Sequence, residues 1–253
     1  MSHRSRRVMG VAACVAAVLL ASGADARRRS RPASRPPWKA RDAALVLDPF
    51  HGNRVDLARV ARNPHVVGII HKATEGTTFV DPACAARREE AARHGLLWGS
   101  YHFGRPGDVA AQVDAYLAAA QPGPADVVAL DVDGIGSEHM SLADAASFVE
   151  TVNERLGRYP LLYASREVLA QPMTQAVRAS LARCPLWFVR YRDRPLGVPR
   201  DTWPHGQVLW QFSSEIRPVC RIRGADRRTD VNLYNGSLSD VRRAWPFTTA
   251  TRR

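Results

Sequence analysis

The feature that most constrains the fold is a repeated alternation of short apolar segments with amphipathic segments of helical length. The apolar segments have the length of strands and lie at 44–48, 66–72, 96–103, 127–134, 160–163, 185–191, 207–212 and 229–232. The amphipathic segments lie at 82–94, 109–121, 142–156, 168–183 and 237–245. Parallel strands need long connections, usually helices, so this alternation predicts a parallel sheet of the α/β class. About eight strands suggest closure into a single barrel.

Polar and aromatic residues end almost every predicted strand. The carboxyl ends of parallel strands meet at one face of a barrel, and barrel enzymes place their active sites there. The sequence therefore predicts a pocket lined by several carboxylates and aromatic rings. The residues expected at this face are Asp48, Lys72, Glu75, Tyr101, His102, Asp131, Asp133, Tyr163, Gln211 and Asp230.

The segment Val127–Gly134 carries two of these carboxylates on one strand. Successive side chains of a strand point to opposite faces, so Asp131 and Asp133 lie on the same side, with Cα atoms about 6 to 7 Å apart. One carboxyl of such a close pair tends to hold a proton while the other is ionised, which suits acid catalysis. From this segment alone, a pair that binds a cation or caps the next helix is an open alternative.

The N-terminus has the three parts of a secretory signal peptide. Arg4, Arg6 and Arg7 precede an apolar run over 8–20, and 24–26 form an A-x-A cleavage pattern. The apolar run is too short for a stable transmembrane helix, so we expect a secreted or periplasmic protein without stable membrane insertion. An uncleaved anchor and an association with the cell envelope are the alternatives.

We divide the chain into a signal peptide (1–26), a basic Pro/Arg-rich flexible leader (27–42), a barrel (43–246) and a flexible tail (247–253). The leader has too little apolar surface to fold by itself. We expect the barrel to be a monomer.

The chain is strongly basic, with a formal net charge of +12 that becomes +10 when residues 1–26 are removed. In an exported protein this charge favours anionic polymers of the cell envelope over nucleic acid. No helix-turn-helix, zinc-finger or RNA-recognition pattern accompanies it, so we expect no nucleic-acid partner. A solubilising surface without a specific partner is the alternative.

The sequence gives little support to metal or cofactor chemistry. Cys84, Cys184 and Cys220 match no zinc site and leave room for one disulfide. No G-x-S-x-G, H-E-x-x-H or G-x-x-x-x-G-K-[ST] motif is present. Carboxylates with aromatic rings suit the cleavage of glycosidic bonds, in which an acid protonates the leaving oxygen and an anion stabilises positive charge on the sugar.

Several short motifs occur in an order that resembles one known family. They are KATEGT at 72–77, DP at 81–82, YHF at 101–103, LDVD at 130–133, LY at 162–163, LWFVRY at 186–191, WQFSS at 210–214 and DVN at 230–232. Over about 190 residues this order is similar to that of the glycoside hydrolase family 25 lysozymes, which are N-acetylmuramidases. The resemblance implies a flattened β/α (TIM-like) barrel and a secreted, retaining peptidoglycan hydrolase without metal or organic cofactor. Its substrate would be the bond between N-acetylmuramic acid and N-acetylglucosamine.

The resemblance also assigns roles to residues of this chain. Asp133 corresponds to the general acid, Asp131 to the carboxylate that assists the acetamido group of the substrate, and Asp48 and Asp230 to flanking catalytic aspartates. The residues predicted to bind the glycan are Lys72, Glu75, Tyr101, His102, Tyr163, Trp187 and Gln211.

Two departures from the family pattern bear on activity. The first motif, at 48–52, is two residues shorter than the family's and has His51 in place of Gln. The family's general acid is Glu, and Asp133 is one methylene shorter, which moves the carboxyl by roughly 1 Å and can cost about 100-fold in rate. A catalytically weak or inactive peptidoglycan-binding protein is therefore the main alternative, with Glu138 as a candidate replacement acid. A chitinase-like D-x-D-x-E site would need Glu where the chain has Ile135.

Overall fold

The computed structural model describes residues 35–247. The predicted signal peptide, residues 27–34 of the predicted leader and residues 248–253 of the predicted tail lie outside the described residues. Within 35–247, no helix has both the length and the apolar character needed to cross a membrane.

Nine strands and seven α-helices alternate along the described chain. The strands are β1 (Leu45–Leu47), β2 (Val66–Glu75), β3 (Phe79–Val80), β4 (Leu97–Phe103), β5 (Val127–Val132), β6 (Leu161–Ser165), β7 (Leu186–Val189), β8 (Leu209–Ser213) and β9 (Val231–Tyr234). The helices are α1 (Leu57–Val60), α2 (Cys84–Arg93), α3 (Val109–Ala120), α4 (Leu142–Leu156), α5 (Arg166–Leu169), α6 (Gln175–Leu181) and α7 (Leu238–Ala244). A 3₁₀ turn at Pro37–Lys39 precedes them.

The sheet closes on itself, which confirms the predicted single α/β barrel. Its strand order is β1-β9-β8-β7-β6-β5-β4-β2-β3, and a further pairing between β1 and β2 completes the ring. Eight strands form the barrel, while β3 folds back on β2 as an antiparallel extension. This hairpin was not predicted.

One strand runs against the expected direction. Strand β9 is antiparallel to both of its neighbours, β8 and β1. The segment 214–230 before it contains no helix, and an antiparallel return needs none. Asp230 therefore precedes its strand instead of ending it, and the reversed direction still brings Asp230 to the face formed by the carboxyl ends of the other strands.

A predicted helix over 168–183 is in fact two shorter helices, α5 and α6. Pro172 lies between them, and proline inside a helix removes a backbone donor and clashes with the preceding turn. Helix α4 has the bounds that its capping residues indicate. Ser141 Oγ accepts a hydrogen bond from Asp144 N (3.0 Å), and Gly157 adopts the left-handed conformation with φ 70°.

The alternation of side chains along each strand separates two apolar cores. On β5, Val127 and Ala129 point into the barrel, whereas Val128, Leu130 and Val132 pack outward against the helices. Helix α7 and the residues after it close the amino-terminal end of the barrel, where Val241, Trp245 and Phe247 join the interior cluster.

The cysteines of the described residues, Cys84, Cys184 and Cys220, are free thiols. Burial raises the pKa of Cys84 and of Cys220 to about 11. Thiols of this kind stay protonated at neutral pH and react slowly, which agrees with a structural role.

Trp38 packs in the outer core of the barrel, although it lies in the segment predicted as a leader. Its ring is 8% exposed, stacks on Phe212 at 4.5 Å and meets Trp210 edge-on at 5.9 Å. The packed part of the chain therefore includes residues before position 43.

We expect Trp38→Ala to lower the free energy of unfolding by about 3 kcal/mol, because it removes a large buried ring from the outer core. Urea unfolding monitored by far-UV circular dichroism, a signal that does not depend on the removed tryptophan, would measure the change. Leu196→Ala is the control, since Leu196 is 66% exposed and its truncation should cost less than about 0.5 kcal/mol. Equal stability of the two variants would show that Trp38 does not contribute to the folded barrel.

Candidate active site

A cleft of about 740 Å³ opens at the carboxyl ends of the barrel strands. Its size lies within the range of ligand pockets. Residues that follow β6, β7 and β8 and that precede β9 form most of its wall. The side chains that give it chemical character are Phe50, Asp133, Tyr163, Glu167, Arg190, Tyr191, Arg192, Glu215, Arg228 and Asp230.

Strand β5 delivers Asp131 and Asp133 to this end of the barrel. Asp131 has the same orientation as Val127 and Ala129 and is half-buried, whereas Asp133 is exposed and lines the cleft. Burial, and then the nearby charge of Asp133, raise the pKa of Asp131 well above its ordinary value, against the opposing effect of Lys72. Asp131 Oδ1 is buried and has no hydrogen-bond partner among residues 35–247. Asp131 is not among the residues that line the cleft, so this oxygen lies behind Asp133 as an unused hydrogen-bond acceptor.

The side-chain amide of Gln211 joins four other polar groups inside the barrel mouth. Its Oε1 accepts hydrogen bonds from the hydroxyls of Tyr163 (2.8 Å) and Tyr191 (2.7 Å). Its Nε2 donates to Asp48 Oδ2 (2.6 Å) and more weakly to Asp230 Oδ2 (3.3 Å). Asp48 and Asp230 thus lie together, with these two oxygens at most about 6 Å apart.

Asn232 holds the second oxygen of Asp48, and sequence reasoning did not identify it as a site residue. Its Nδ2 donates to Asp48 Oδ1 (2.5 Å) and to Val46 O (3.0 Å), while its Oδ1 accepts from Trp187 Nε1 (2.6 Å). The signal was present in the DVN motif, because residues 230 and 232 of an extended segment point to the same side.

Burial also raises the pKa values of the two flanking aspartates. Asp48 is 8% exposed, and its pKa rises well above the ordinary value through burial and the charge of Asp230, although hydrogen bonds from Asn232 and Gln211 oppose the rise. The pKa of Asp230 rises to about 7 through burial and the charges of Glu215 and Asp133. The four predicted catalytic carboxyls are therefore brought to one end of the barrel, where their charges interact.

Two residues predicted to bind the glycan are too deeply buried to touch a ligand in this structure. Trp187 and Gln211 are each 1% exposed, and both are occupied by hydrogen bonds within the barrel. They position Asn232 and Asp48 instead. Tyr163 lines the cleft, whereas Tyr101 is 9% exposed and packs edge-on against Trp187 at 6.3 Å.

His102 lies outside the barrel, so its predicted contact with the glycan does not fit the structure. The ring is fully buried, stacks on Phe148 at 5.0 Å and hydrogen-bonds Thr74 Oγ1 (2.8 Å) and Gln112 Oε1 (3.0 Å). Tyr101 points inward, so the next residue on the strand must point outward. Burial lowers the pKa of His102 to about 4, and the ring is neutral at pH 7.

Lys72 and Glu75 form a charged network beside the carboxylate pair. Lys72 Nζ hydrogen-bonds Glu75 and lies 4.8 Å from the centre of the Phe103 ring. Arg105 Nη2 donates to Glu75 Oε1 (2.6 Å) and was not predicted. Burial acts to raise the pKa of Glu75, but the hydrogen bonds from Lys72 and Arg105 outweigh it and the pKa is lowered. Glu75 therefore stays ionised and holds Lys72 near Asp131.

Hydrogen bonds hold the shortened first motif, at 48–52, against residues that follow β3 and on α2. His51 N and Nδ1 lie 2.8 and 3.0 Å from Asp81 Oδ2, and Arg87 Nη1 donates to Phe50 O (2.8 Å). This arrangement leaves the Phe50 ring 37% exposed at the cleft.

Two further carboxylates, Glu167 and Glu215, line the cleft and were not predicted. Each follows a strand end by two residues, so the ends of β6 and β8 carried the signal. Glu138, the candidate replacement acid, is exposed and is not among the residues that line the cleft. Among residues 35–247, no group of three or more His, Cys, Asp or Glu side chains is arranged to hold a metal ion.

Known proteins show the same fold and related sequences. The chain is 28% identical over 198 residues to the N,O-diacetylmuramidase of Arthroderma benhamiae, covering 73% of this chain and 79% of that protein. It is 26% identical over 185 residues to Lysozyme M1 of Streptomyces globisporus, covering 66% of this chain and 60% of that protein. The muramidase structure from Trichobolus zukalii shares the fold, with a TM-score of 0.64 and 24% identity over 79% of this chain and 97% of that chain.

A family-level match covers most of the barrel. The sequence profile of glycosyl hydrolases family 25 matches residues 50–218 of the 253. This range includes β2 to β8 and the Asp131/Asp133 pair. The chain therefore belongs to glycosyl hydrolases family 25.

Proposed function

We propose that the protein is a muramidase that cleaves peptidoglycan between N-acetylmuramic acid and N-acetylglucosamine. The observation that carries this proposal is the pair formed by Asp133, which lines the cleft, and Asp131, whose buried Oδ1 has no hydrogen-bond partner among residues 35–247. The names of the similar proteins from Arthroderma benhamiae and Streptomyces globisporus support this choice of substrate.

The buried oxygen of Asp131 suits the acetamido group of an N-acetylated sugar. The N–H of this group would donate to Asp131 Oδ1, and its carbonyl oxygen would then attack the anomeric carbon as the glycosidic bond breaks. Asp133 gives its proton to the leaving oxygen, and water later opens the cyclic intermediate. Two displacements at the same carbon retain its configuration, as in other retaining glycosidases.

The pKa of Asp131 connects substrate binding to the supply of this proton. Burial favours the neutral form of Asp131 in the free protein. A hydrogen bond from the substrate N–H favours the ionised form instead. The proton displaced from Asp131 can then pass to its neighbour Asp133, which faces the cleft.

A catalytically weak or inactive peptidoglycan-binding protein is the second candidate. It is favoured by Asp133, which replaces the longer Glu of the family pattern, and by exposed Phe50 and half-buried Tyr191 at the cleft, which can contact glycan without proton transfer. For either activity we propose export through the N-terminal segment 1–26, action at the cell wall and a monomeric state.

The reach of the acid can be tested by changing its length. Asp133→Glu should raise the release of reducing ends from purified peptidoglycan by about 10 to 100-fold, because the added methylene restores roughly 1 Å of reach. Asp133→Asn should abolish it, because an amide cannot supply the proton. Glu138→Gln is the matched control and should retain wild-type activity.

Two results would redirect this assignment. Equal activity of wild type and Asp133→Asn would show that another group is the acid. Lack of activity in both wild type and Asp133→Glu, with binding intact, would favour the binding-protein candidate.

Binding and catalysis should separate in Asp131→Asn. The amide keeps the shape and neutrality that burial favours in the free protein, so sedimentation with peptidoglycan should be preserved within about threefold. Turnover should fall by at least about 100-fold, because the variant cannot stabilise developing charge on the acetamido group. A loss of binding as large as the loss of turnover would contradict this division.

The raised pKa of Asp230 predicts a pH dependence of stability. The carboxyl has a pKa near 4 in an unfolded chain and about 7 in the folded protein. Between these values the folded state binds more protons, so the stabilisation is complete below about pH 4 and is lost as the pH rises to about 7. We expect the stability of wild type relative to Asp230→Asn to fall by about 3 kcal/mol over this range.

Denaturant unfolding at pH 4 and pH 7 would measure this difference. Asp201→Asn provides the control, because the Asp201 side chain is 72% exposed and its removal should leave the pH dependence unchanged. Parallel pH profiles for wild type and Asp230→Asn would refute the assignment.

A further inference from the structure

Arg190 is a charged residue at the cleft that the catalytic scheme does not use. It follows β7 directly and lines the cleft together with Asp133 and Tyr163. Its Nε is buried and has no hydrogen-bond partner among residues 35–247. A buried N–H without a partner costs about 1 to 3 kcal/mol, so this donor is available for a ligand.

A second guanidinium lies beside that of Arg190. Arg166 Nε and Arg190 Nη1 are 3.3 and 3.5 Å from the position that a Cβ on Gly197 would occupy. Because both atoms are within 3.5 Å of that point, they are at most about 7 Å apart. Gly197, with φ +96° and no side chain, lets both arginines pack close to its backbone, since a Cβ there would lie only 3.0 Å from Arg166 Cδ.

Neither guanidinium is paired with a carboxylate among residues 35–247. In the described part of the chain, Arg166 and Arg190 form no ion pair with a carboxylate within 4.0 Å. Arg192, exposed at the same wall of the cleft, adds a third positive charge. Arg166 and Arg190, whose nearest cited nitrogens are at most about 7 Å apart, repel each other, and a bound anion would be attracted to both.

We propose that Arg166, Arg190 and Arg192, the arginine cluster, form an anion subsite that binds a carboxylate of the glycan substrate. Arginine is suited to this role, because its planar fork of N–H donors matches a carboxylate. The inference rests on the proposed function, since peptidoglycan carries carboxylates on its stem peptides and, where these are removed, on the lactyl group of muramic acid.

The subsite would also orient the glycan chain in the cleft. Asp133, Glu167 and Glu215 line the same cleft and repel a carboxylate, whereas the arginine cluster attracts it. An uncharged N-acetylglucosamine residue lacks such a group. A muramyl residue is therefore directed to the wall that carries Arg190.

The test compares Arg190→Gln with Arg242→Gln, which removes the same charge from an exposed position on α7, at the amino-terminal end of the barrel. Each variant and wild type would be assayed on native peptidoglycan and on peptidoglycan whose carboxylates have been converted to amides. Arg190→Gln should raise KM on the native polymer about 10-fold with little change in kcat, the loss expected for one charge-assisted hydrogen bond. On the amidated polymer it should match wild type, and Arg242→Gln should match wild type on both.

A third polymer identifies the source of the carboxylate. Peptidoglycan stripped of stem peptides by an amidase retains the lactyl carboxylate. A KM defect of Arg190→Gln that persists on it indicates the lactyl group, and a defect that disappears indicates the stem peptide. Either outcome supports the subsite.

The subsite is refuted if Arg190→Gln leaves KM on native peptidoglycan unchanged, or if its defect is the same on the amidated polymer. Arg190→Lys, which keeps the charge, separates a folding defect from a binding defect, since it should recover part of the affinity. If wild type lacks turnover, sedimentation binding to the same polymers replaces KM. If wild type also fails to bind native peptidoglycan, the proposed function fails, a result distinct from equal binding by wild type and Arg190→Gln.

Discussion

The mouth of the barrel depends on the hydrogen bonds of one buried amide, that of Gln211. Its Oε1 is occupied by Tyr163 and Tyr191, so its Nε2 must face Asp48 and Asp230. These bonds connect residues at the ends of four strands with the start of β9 across the closed sheet. In a buried network, a polar group without a partner loses more free energy than a hydrogen bond gains. The network is therefore most stable in the one arrangement that satisfies all of its donors and acceptors. This network fixes the positions of Asp48 and Asp230.

The four carboxyls differ in depth, and burial raises the pKa of the three that lie deeper. Asp48 lies deepest and Asp133 is exposed, with Asp131 and Asp230 between these extremes. Burial is the largest cause of the raised pKa of Asp48, Asp131 and Asp230, and neighbouring carboxylates add to it. The network around Gln211 therefore affects the pKa values of Asp48 and Asp230 indirectly, because it fixes how far these carboxyls lie from water.

Local patterns in the sequence were sufficient for the barrel and for the order of its elements, because strand and helix periods are properties of short segments. They were insufficient where long-range partners decide the outcome. The direction of β9 depends on its neighbours β1 and β8, and His102 was placed in the pocket because its inward neighbour Tyr101 was counted with it. The hydrogen bonds of Asn232 to Asp48 and Trp187 join residues far apart in the chain, and only the DVN spacing hinted that Asn232 lies on the side of Asp230.

The position of Asp133 is set largely by the backbone that follows it. Gly134 has φ +85°, and a Cβ there would overlap the ring of His139, so the turn after Asp133 requires glycine. This turn fixes where the Cα of residue 133 lies at the edge of the cleft, and the side chain alone supplies the remaining reach. Since Asp133 is exposed, a longer acid would extend into open space without displacing packed neighbours. In the proposed mechanism, the short side chain of Asp133 would limit the distance over which a proton is delivered, and the space beyond it can hold a longer acid.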